Sequence, residues 1–487
     1  MRDIVRGSPR FFLLALAGAI ALRLVFIFEL PAITADSLVY GDIAKNWLQH
    51  GIYGLTGVHE VSPTHIRLPG YPAFLALVFA IFGMEHYRAA LVLQMFVDVG
   101  TCFLVADMAR RLLSRRAAKL AFVLAALCPF FANYAGAALS ETWEIFFTAL
   151  ALDLVLSAST ASRLLPWVGC GFAIGGAILL RPDGGLLLLA IEVYLGWLLL
   201  RRIVARQNVV TVFRPAVIVC VCALVPLIPW TWRNFRTFHE FQPLAPRYAN
   251  DENAFVALGF ERWVRTWIVD YASTEEIYWS VPGSSIDADQ LPSRAFDTEH
   301  QKEQTEQLLD DYNRQLRVTP DLDQCFAELA AERIHNSPVR YYLRLPLLRI
   351  SDMWLRPRTE ILPCNTRWWE FDEETKWLVL SVALAIINLL YIAAALAGLV
   401  RARHVPLLGL LLTFVILRSA FLGTLENPET RYTLECYPVV IVLAAAAFSR
   451  GVPQSPPERN RRVPCPPLRA NLGKNCGYLS GAIYPFL

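Results

Sequence analysis

The sequence predicts an all-α integral membrane protein. Its expected form is a bundle of about ten transmembrane helices with juxtamembrane helices on the outer face and a small, mostly helical extramembrane cap. Three observations carry that prediction. The 487 residues are 55% hydrophobic with a mean hydropathy of +0.40, too apolar for a soluble chain of this size. Apolar runs of spanning length recur near 11–30, 88–107, 117–135, 141–158, 166–181, 184–200, 215–232, 377–398, 405–422 and 432–449. Charged residues make up only 18% and gather between those runs.

Each element follows from local chemistry. The run 11–30 carries Arg23 and Glu29 and has no obvious small-residue cleavage site after it, so it reads as a retained signal anchor. Segment 72–83 is apolar but short, and Pro69, Gly70 and Pro72 interrupt its start. Arg2, Arg6 and Arg10 place the N-terminus inside. The basic clusters at Arg110–Lys119, Arg201–Arg206, Arg401–Arg403 and Arg459–Arg462 all fall inside only if 72–83 does not cross. That segment is therefore expected as a juxtamembrane or re-entrant helix on the outer side.

The organisation that results has four parts. Residues 1–232 form a transmembrane core with a first outer loop at 31–87, and residues 233–376 form a non-cytoplasmic, mostly helical region. Residues 377–450 supply the last transmembrane helices, and 451–487 form a disordered cytoplasmic tail rich in Pro, Arg and Asn. Within the third outer segment, 251–330 is markedly acidic, and Glu299–Arg317 and Asp323–His335 have amphipathic helical spacing. No cysteine spacing fits a zinc site. Cys325 and Cys364 are the two cysteines placed in the extended outer region, where they either pair or stand as unrelated thiols. A net charge of +3, with short basic runs flanking apolar spans, gives no nucleic-acid footprint.

The outer boundary collects the chemistry. Asp36 lies just past the first span, and Tyr40, Ala44 and Trp47 continue on one helical face. Arg67 precedes Pro69-Gly70-Tyr71-Pro72, Ser140-Glu141 opens the fourth span, Arg233-Asn234 ends the seventh, and Arg431-Tyr432 precedes the last. Glycosyl transfer needs a base for the acceptor, which a carboxylate supplies. It also needs positive charge at a phosphate leaving group, which arginines supply through charge-assisted bonds. Structural roles compete at each position. Glu141 is equally well placed as a dipole partner at a helix N-terminus, with Ser140 as its cap. Arg181 reads as an interface anchor with Pro182 at the first helical position. Arg431-Tyr432 reads equally as an interfacial pair, and Asp42 as a solvated helix residue.

On these motifs the chain resembles the GT-C superfamily of membrane glycosyltransferases, in the bacterial branch related to protein O-mannosyltransferases and the lipid A aminoarabinose transferase. The matching pieces are Asp36 with Tyr40, Arg67-Leu68-Pro69-Gly70-Tyr71-Pro72, Leu139-Ser140-Glu141-Thr142, Leu180-Arg181-Pro182-Asp183-Gly184, Pro229-Trp230-Thr231-Trp232-Arg233-Asn234, and Arg431-Tyr432 with Pro438. The resemblance implies a GT-C-like bundle and sugar transfer, with inversion, from a polyprenyl-phosphate carrier to a lipid, glycan or protein acceptor. It implies Asp36 and Glu141 as catalytic carboxylates, and Tyr40, Arg67, Arg233, Arg431 and Tyr432 as substrate-binding residues. Relatives often pair the first-loop aspartate with a second acid, but Ala35 and Ser37 flank Asp36 here. No metal ligand is therefore assigned, a divalent metal is left open but not indicated, and the lipid-linked donor is the substrate. The implied location is a bacterial inner membrane with the site facing the periplasm or exterior. A transporter or flippase of lipid-linked sugar is the alternative. It would place charges near the bilayer midplane and show repeats, whereas the informative charges here sit at one boundary and no repeat is visible.

Overall fold

The computed structural model describes residues 1–160, 163–250, 254–371 and 374–449, so the tail expected beyond 451 lies outside the described residues. All ten apolar runs are helical over most of their length. Five helices are long and apolar enough to cross a membrane: Pro9–Glu29, Tyr87–Leu112, Glu141–Ser159, Thr375–Ala402 and Thr430–Phe448. Two bent pairs bring the number to seven if each is one span. They are Arg115–Ala126 with Pro129–Ala135, at 49°, and Val210–Leu224 with Leu227–Phe238, at 40°. Prolines account for both breaks, since Pro129 and Pro226 supply no backbone N–H to the preceding turn.

The expected ten spans thus become five to seven by length and composition, among the described residues. The other runs are the short helices Leu165–Leu180 and Leu408–Leu422, and Gly185–Val204, which carries Glu192, Arg201 and Arg202. Segment 72–83 is the 13-residue apolar helix Gly70–Phe82. The chain is an all-helical, multi-pass membrane protein.

Small residues let the bundle close. A Cβ on Gly398 would lie 1.7 Å from the Leu443 carbonyl oxygen, so helix Thr375–Ala402 touches the last helix backbone to backbone. Two side chains satisfy carbonyls left at the end of helix Arg115–Ala126. Tyr391 donates to the Leu124 carbonyl at 2.7 Å, and the buried Arg23 donates to the carbonyls of Ala125 (3.3 Å) and Ala126. Asp98 neutralises Arg23 at 2.5 Å.

The expected cap helices are present as Glu299–Gln315 and Pro320–Asn336, with Leu258–Arg265 beside them. Thr298 and Thr319 accept from the N–H groups of Gln301 and Leu322, which fixes both starts. These helices share their own core of Phe260, Trp263, Trp267, Leu309, Tyr312 and Phe326. The segment expected as the first outer loop adds a hairpin that the sequence pattern did not signal, Gly54–Thr56 against Val61–Pro63. Asp42 anchors it by accepting from the Thr56 N–H and hydroxyl, both at 2.7 Å. No disulfide joins Cys325 to Cys364.

Candidate active site

Asp36 is the second residue of helix Ala35–His50. Thr34 and Ser37 cap that helix reciprocally, and Gly51, with φ of 70°, ends it in the left-handed conformation. The start of this helix is stitched to the start of helix Glu141–Thr160. The Ala32 N–H donates to the Gly136 carbonyl and the Ala138 N–H to the Ala32 carbonyl, both at 3.0 Å. Main-chain bonds therefore bring Asp36 and Glu141 to one end of the bundle although they are a hundred residues apart in sequence.

Charged side chains then converge. Arg67 donates to Asp36 Oδ1 at 2.8 Å, and its guanidinium lies 5.9 Å from the Tyr40 ring centroid. The hairpin and the Tyr53 hydroxyl, which donates to the Arg67 carbonyl at 2.9 Å, hold Arg67 there. Arg431 lies in the 3-10 turn Thr430–Cys436 that leads into the last helix. It meets Asp36 at 3.4 Å, Glu141 at 3.3 Å and Glu429 at 2.5 Å. Arg181, from the turn after helix Leu165–Leu180, reaches Glu141 (3.6 Å), Glu144 (3.8 Å) and Asp183 (3.4 Å), and lies 4.5 Å from the Tyr432 ring centroid. The Tyr432 hydroxyl donates to Glu429, and the Ser140 hydroxyl to Glu144.

The network has a closed side and an open side. Glu141, Glu144, Glu429 and Glu435 are buried. The side chains left partly open are Asp36 at 31%, Arg67 at 24%, Arg181 at 21%, Arg431 at 14% and Asp183 at 11%. Asp36 is the most exposed carboxylate of the network and shares its open side with three guanidiniums, while Asp183 is nearly closed off and the four glutamates are buried. Burial acts to raise the pKa of Asp36, but Arg431 and then Arg67 outweigh it and hold the carboxyl below its ordinary value. Burial first, and Asp36 second, push the Tyr40 hydroxyl up to about 12, so it stays protonated at neutral pH.

Arg233 stands apart from this network. It donates to the carbonyls of Thr64 (2.8 Å) and Tyr53 (2.6 Å) and stacks on Tyr53, Trp230 and Phe238. No carboxylate pairs with it among the described residues, so its contacts are those of a brace for the hairpin loop. The sequence reading gave no site role to Glu144, Asp183 or Glu429, passed over Arg418 and Glu435, and took Arg181 for an anchor. Arg418 carried a usable signal, as an arginine inside an apolar run. Among the described residues no group of three or more His, Cys, Asp or Glu could hold a metal ion.

Residues 63–231 match the family model of dolichyl-phosphate-mannose-protein mannosyltransferases. The resemblance to GT-C membrane glycosyltransferases is thereby borne out. The matched segment contains Arg67, Glu141 and Arg181, whereas Asp36 and Arg431 lie outside it and join them only through the fold. Among solved structures, ArnT from Cupriavidus metallidurans in the apo state is similar at 15% identity and a TM-score of 0.40, over 89% of this chain and 78% of that one. The archaeal oligosaccharyltransferase AglB from Archaeoglobus fulgidus, in complex with an inhibitory peptide and a dolichol-phosphate, is similar at 14% identity and a TM-score of 0.47. That match covers 89% of this chain and 50% of the AglB chain. A search of curated proteins finds no match.

Proposed function

We propose that this membrane glycosyltransferase moves a sugar from a polyprenyl-phosphate carrier to an acceptor hydroxyl, with inversion, on the non-cytoplasmic face of a bacterial inner membrane. The observation that carries the reading is the open face of the charged network, where Asp36, its most exposed carboxylate, stands among Arg67, Arg181 and Arg431. Three guanidiniums match the oxygens of a phosphate leaving group. Asp36 is the group left to take the acceptor proton.

In the step proposed, the acceptor oxygen bonds to the anomeric carbon from the face opposite the phosphate. The bond from that carbon to the phosphate oxygen breaks, and the polyprenyl phosphate leaves with the bonding pair. The acceptor proton goes to Asp36. Arg67 and Arg431 weaken Asp36 as a base while they face it. As charge grows on the leaving phosphate, the same two arginines turn to it, and the proton affinity of Asp36 rises when it is needed. Glu141, bonded to both Arg431 and Arg181, keeps them aimed at one point. Tyr40, with its proton retained, lines the site under Arg67.

The test is sugar transfer in proteoliposomes from a polyprenyl-phosphate sugar to the membrane fraction or added acceptors. Transfer by the unaltered protein that is lost in Asp36→Asn supports the reading. Movement of the labelled lipid between leaflets without transfer would replace it with a flippase.

A further inference from the structure

The turn that carries Arg431 is gripped from behind by two other arginines. Arg358, in the loop after helix Leu345–Leu355, donates to the Thr430 carbonyl at 2.6 Å, the Thr433 hydroxyl at 2.7 Å and the Tyr437 hydroxyl at 2.9 Å. Arg418, from helix Leu408–Leu422, donates to the Tyr432 carbonyl at 2.8 Å. The carbonyls on either side of Arg431 are thus each held by a separate guanidinium. Both of these arginines are fully buried. Arg418 does more than hold the turn. Its Nη2 also pairs with Asp183 and Glu435, each at 2.9 Å. Asp183 belongs to the turn that carries Arg181 and pairs with it at 3.4 Å. One side chain therefore touches both turns that deliver arginines to the open face.

We propose that Arg358 and Arg418 are positioning residues that fix the spacing between the Arg181 and Arg431 guanidiniums, and through it the affinity for the carrier phosphate. The proposal rests on the reading of the open face as a phosphate site. Its physical basis is cost. A buried guanidinium is expensive to desolvate, and a pair or triad that serves only stability is replaceable by apolar residues at little or no loss. A divergent fork such as that of Arg418, which bonds one carbonyl and two carboxylates from different elements, does what an apolar side chain cannot, because it sets distances between those elements. Neither Arg358 nor Arg418 lies on the open face, so each acts through Arg431 and Arg181 rather than on substrate.

The decisive variant removes a cation together with an anion it neutralises: Arg418→Met combined with Glu435→Gln, compared with Arg418→Lys and Arg358→Gln. The measurements are direct binding of polyprenyl phosphate to detergent-solubilised protein, donor KM and kcat, and thermal unfolding. In the double variant, Tm is expected to stay within a few degrees of the unaltered protein, while the Kd for polyprenyl phosphate and the donor KM rise about tenfold or more. Lysine at 418 keeps the charge opposite Asp183 and Glu435 but cannot also reach the Tyr432 carbonyl. It is expected to keep Tm near that of the unaltered protein while affinity falls as in the double variant. Arg358→Gln, which retains one donor for the Thr430 carbonyl, is expected to weaken binding by a smaller factor. Unchanged binding and KM in folded double and Arg358→Gln variants would overturn the positioning role. Failure of the unaltered protein to bind polyprenyl phosphate at all would instead overturn the phosphate reading beneath it.

Discussion

Asp36→Asn separates the proposed base from its structural surroundings. The exchange keeps the size of the side chain and removes the charge that faces Arg67 at 2.8 Å and Arg431 at 3.4 Å. Loss of a positioned general base costs roughly 10²–10⁴ in rate, or about 2.7–5.4 kcal/mol of transition-state stabilisation. The cost to folding is far smaller. Asp36 is about one third exposed, so its pairs with Arg67 and Arg431 are screened by solvent and contribute about 0–1 kcal/mol each. The asparagine oxygen still accepts from Arg67. Donor binding moves the opposite way to catalysis, because both arginines lose a competitor for the phosphate. The assay is transfer from a radiolabelled polyprenyl-phosphate sugar in proteoliposomes, with kcat and donor KM resolved and unfolding followed in parallel. The expected result is a fall in kcat by at least ~100-fold, a donor KM unchanged or lower, and nearly unchanged stability. A folded variant that keeps kcat within about threefold would refute the base assignment.

Further outcomes follow from the same geometry. Arg67→Ala removes one phosphate ligand and should weaken donor binding about tenfold, near 1.4 kcal/mol, with a smaller change in kcat; an unchanged Kd for polyprenyl phosphate would place the phosphate elsewhere. The pKa of Asp36 is held below the ordinary 3.8, so its contribution to stability is fully present above that value and is lost as pH falls through the lower, folded-state value. The acid limb of kcat/KM should accordingly lie below about pH 4, and an Asp36-dependent limb at pH 5 or above would contradict the arginine contacts. Trp263→Ala empties a fully buried position in the cap core and should destabilise the cap by about 3–5 kcal/mol. Limited proteolysis should then cut within 258–336 far faster than in the unaltered protein, and equal cutting rates would show that the cap does not depend on that core.

The sequence made the helices legible because apolar runs and caps are local signals. The amphipathic spacing of Glu299–Arg317 and Asp323–His335 announced the cap helices, whereas the bend at Pro129 in 117–135 went unread. Span number was less legible, since helices Leu165–Leu180, of 16 residues, and Leu408–Leu422, of 15, fall short of a full span. At the site, Asp36, Arg67, Glu141 and Arg431 stood out because each lies beside a span end next to a helix or turn signal. Arg181 looked like an anchor because its ion pairs with Glu141, Glu144 and Asp183 are tertiary, and no local pattern reports them. Glu429 and Glu435 flank Arg431 in sequence, yet only the 3-10 turn shows that the first faces it and the second faces Arg418. The hairpin escaped because its strands are three residues long and are held by Asp42 rather than by a hydrophobic alternation.

The bridge from Ala32 to Gly136 and Ala138 has a consequence for how this enzyme can diverge. The separation of the two acidic helix starts is written in peptide groups, so it is indifferent to which side chains the neighbouring positions carry. Exchange of aspartate for glutamate at either start would lengthen or shorten a reach by one methylene without moving the platform beneath it. Vulnerability is confined to a few chemically specific changes. Proline at 32 or 138 would delete a donor of the bridge. A side chain at Gly136 would meet the Phe26 backbone and Cβ at 3.0 Å, and so press on the end of the first long helix. The proposed site, anchored in this way, can change the residues on its open face while its dimensions are inherited intact.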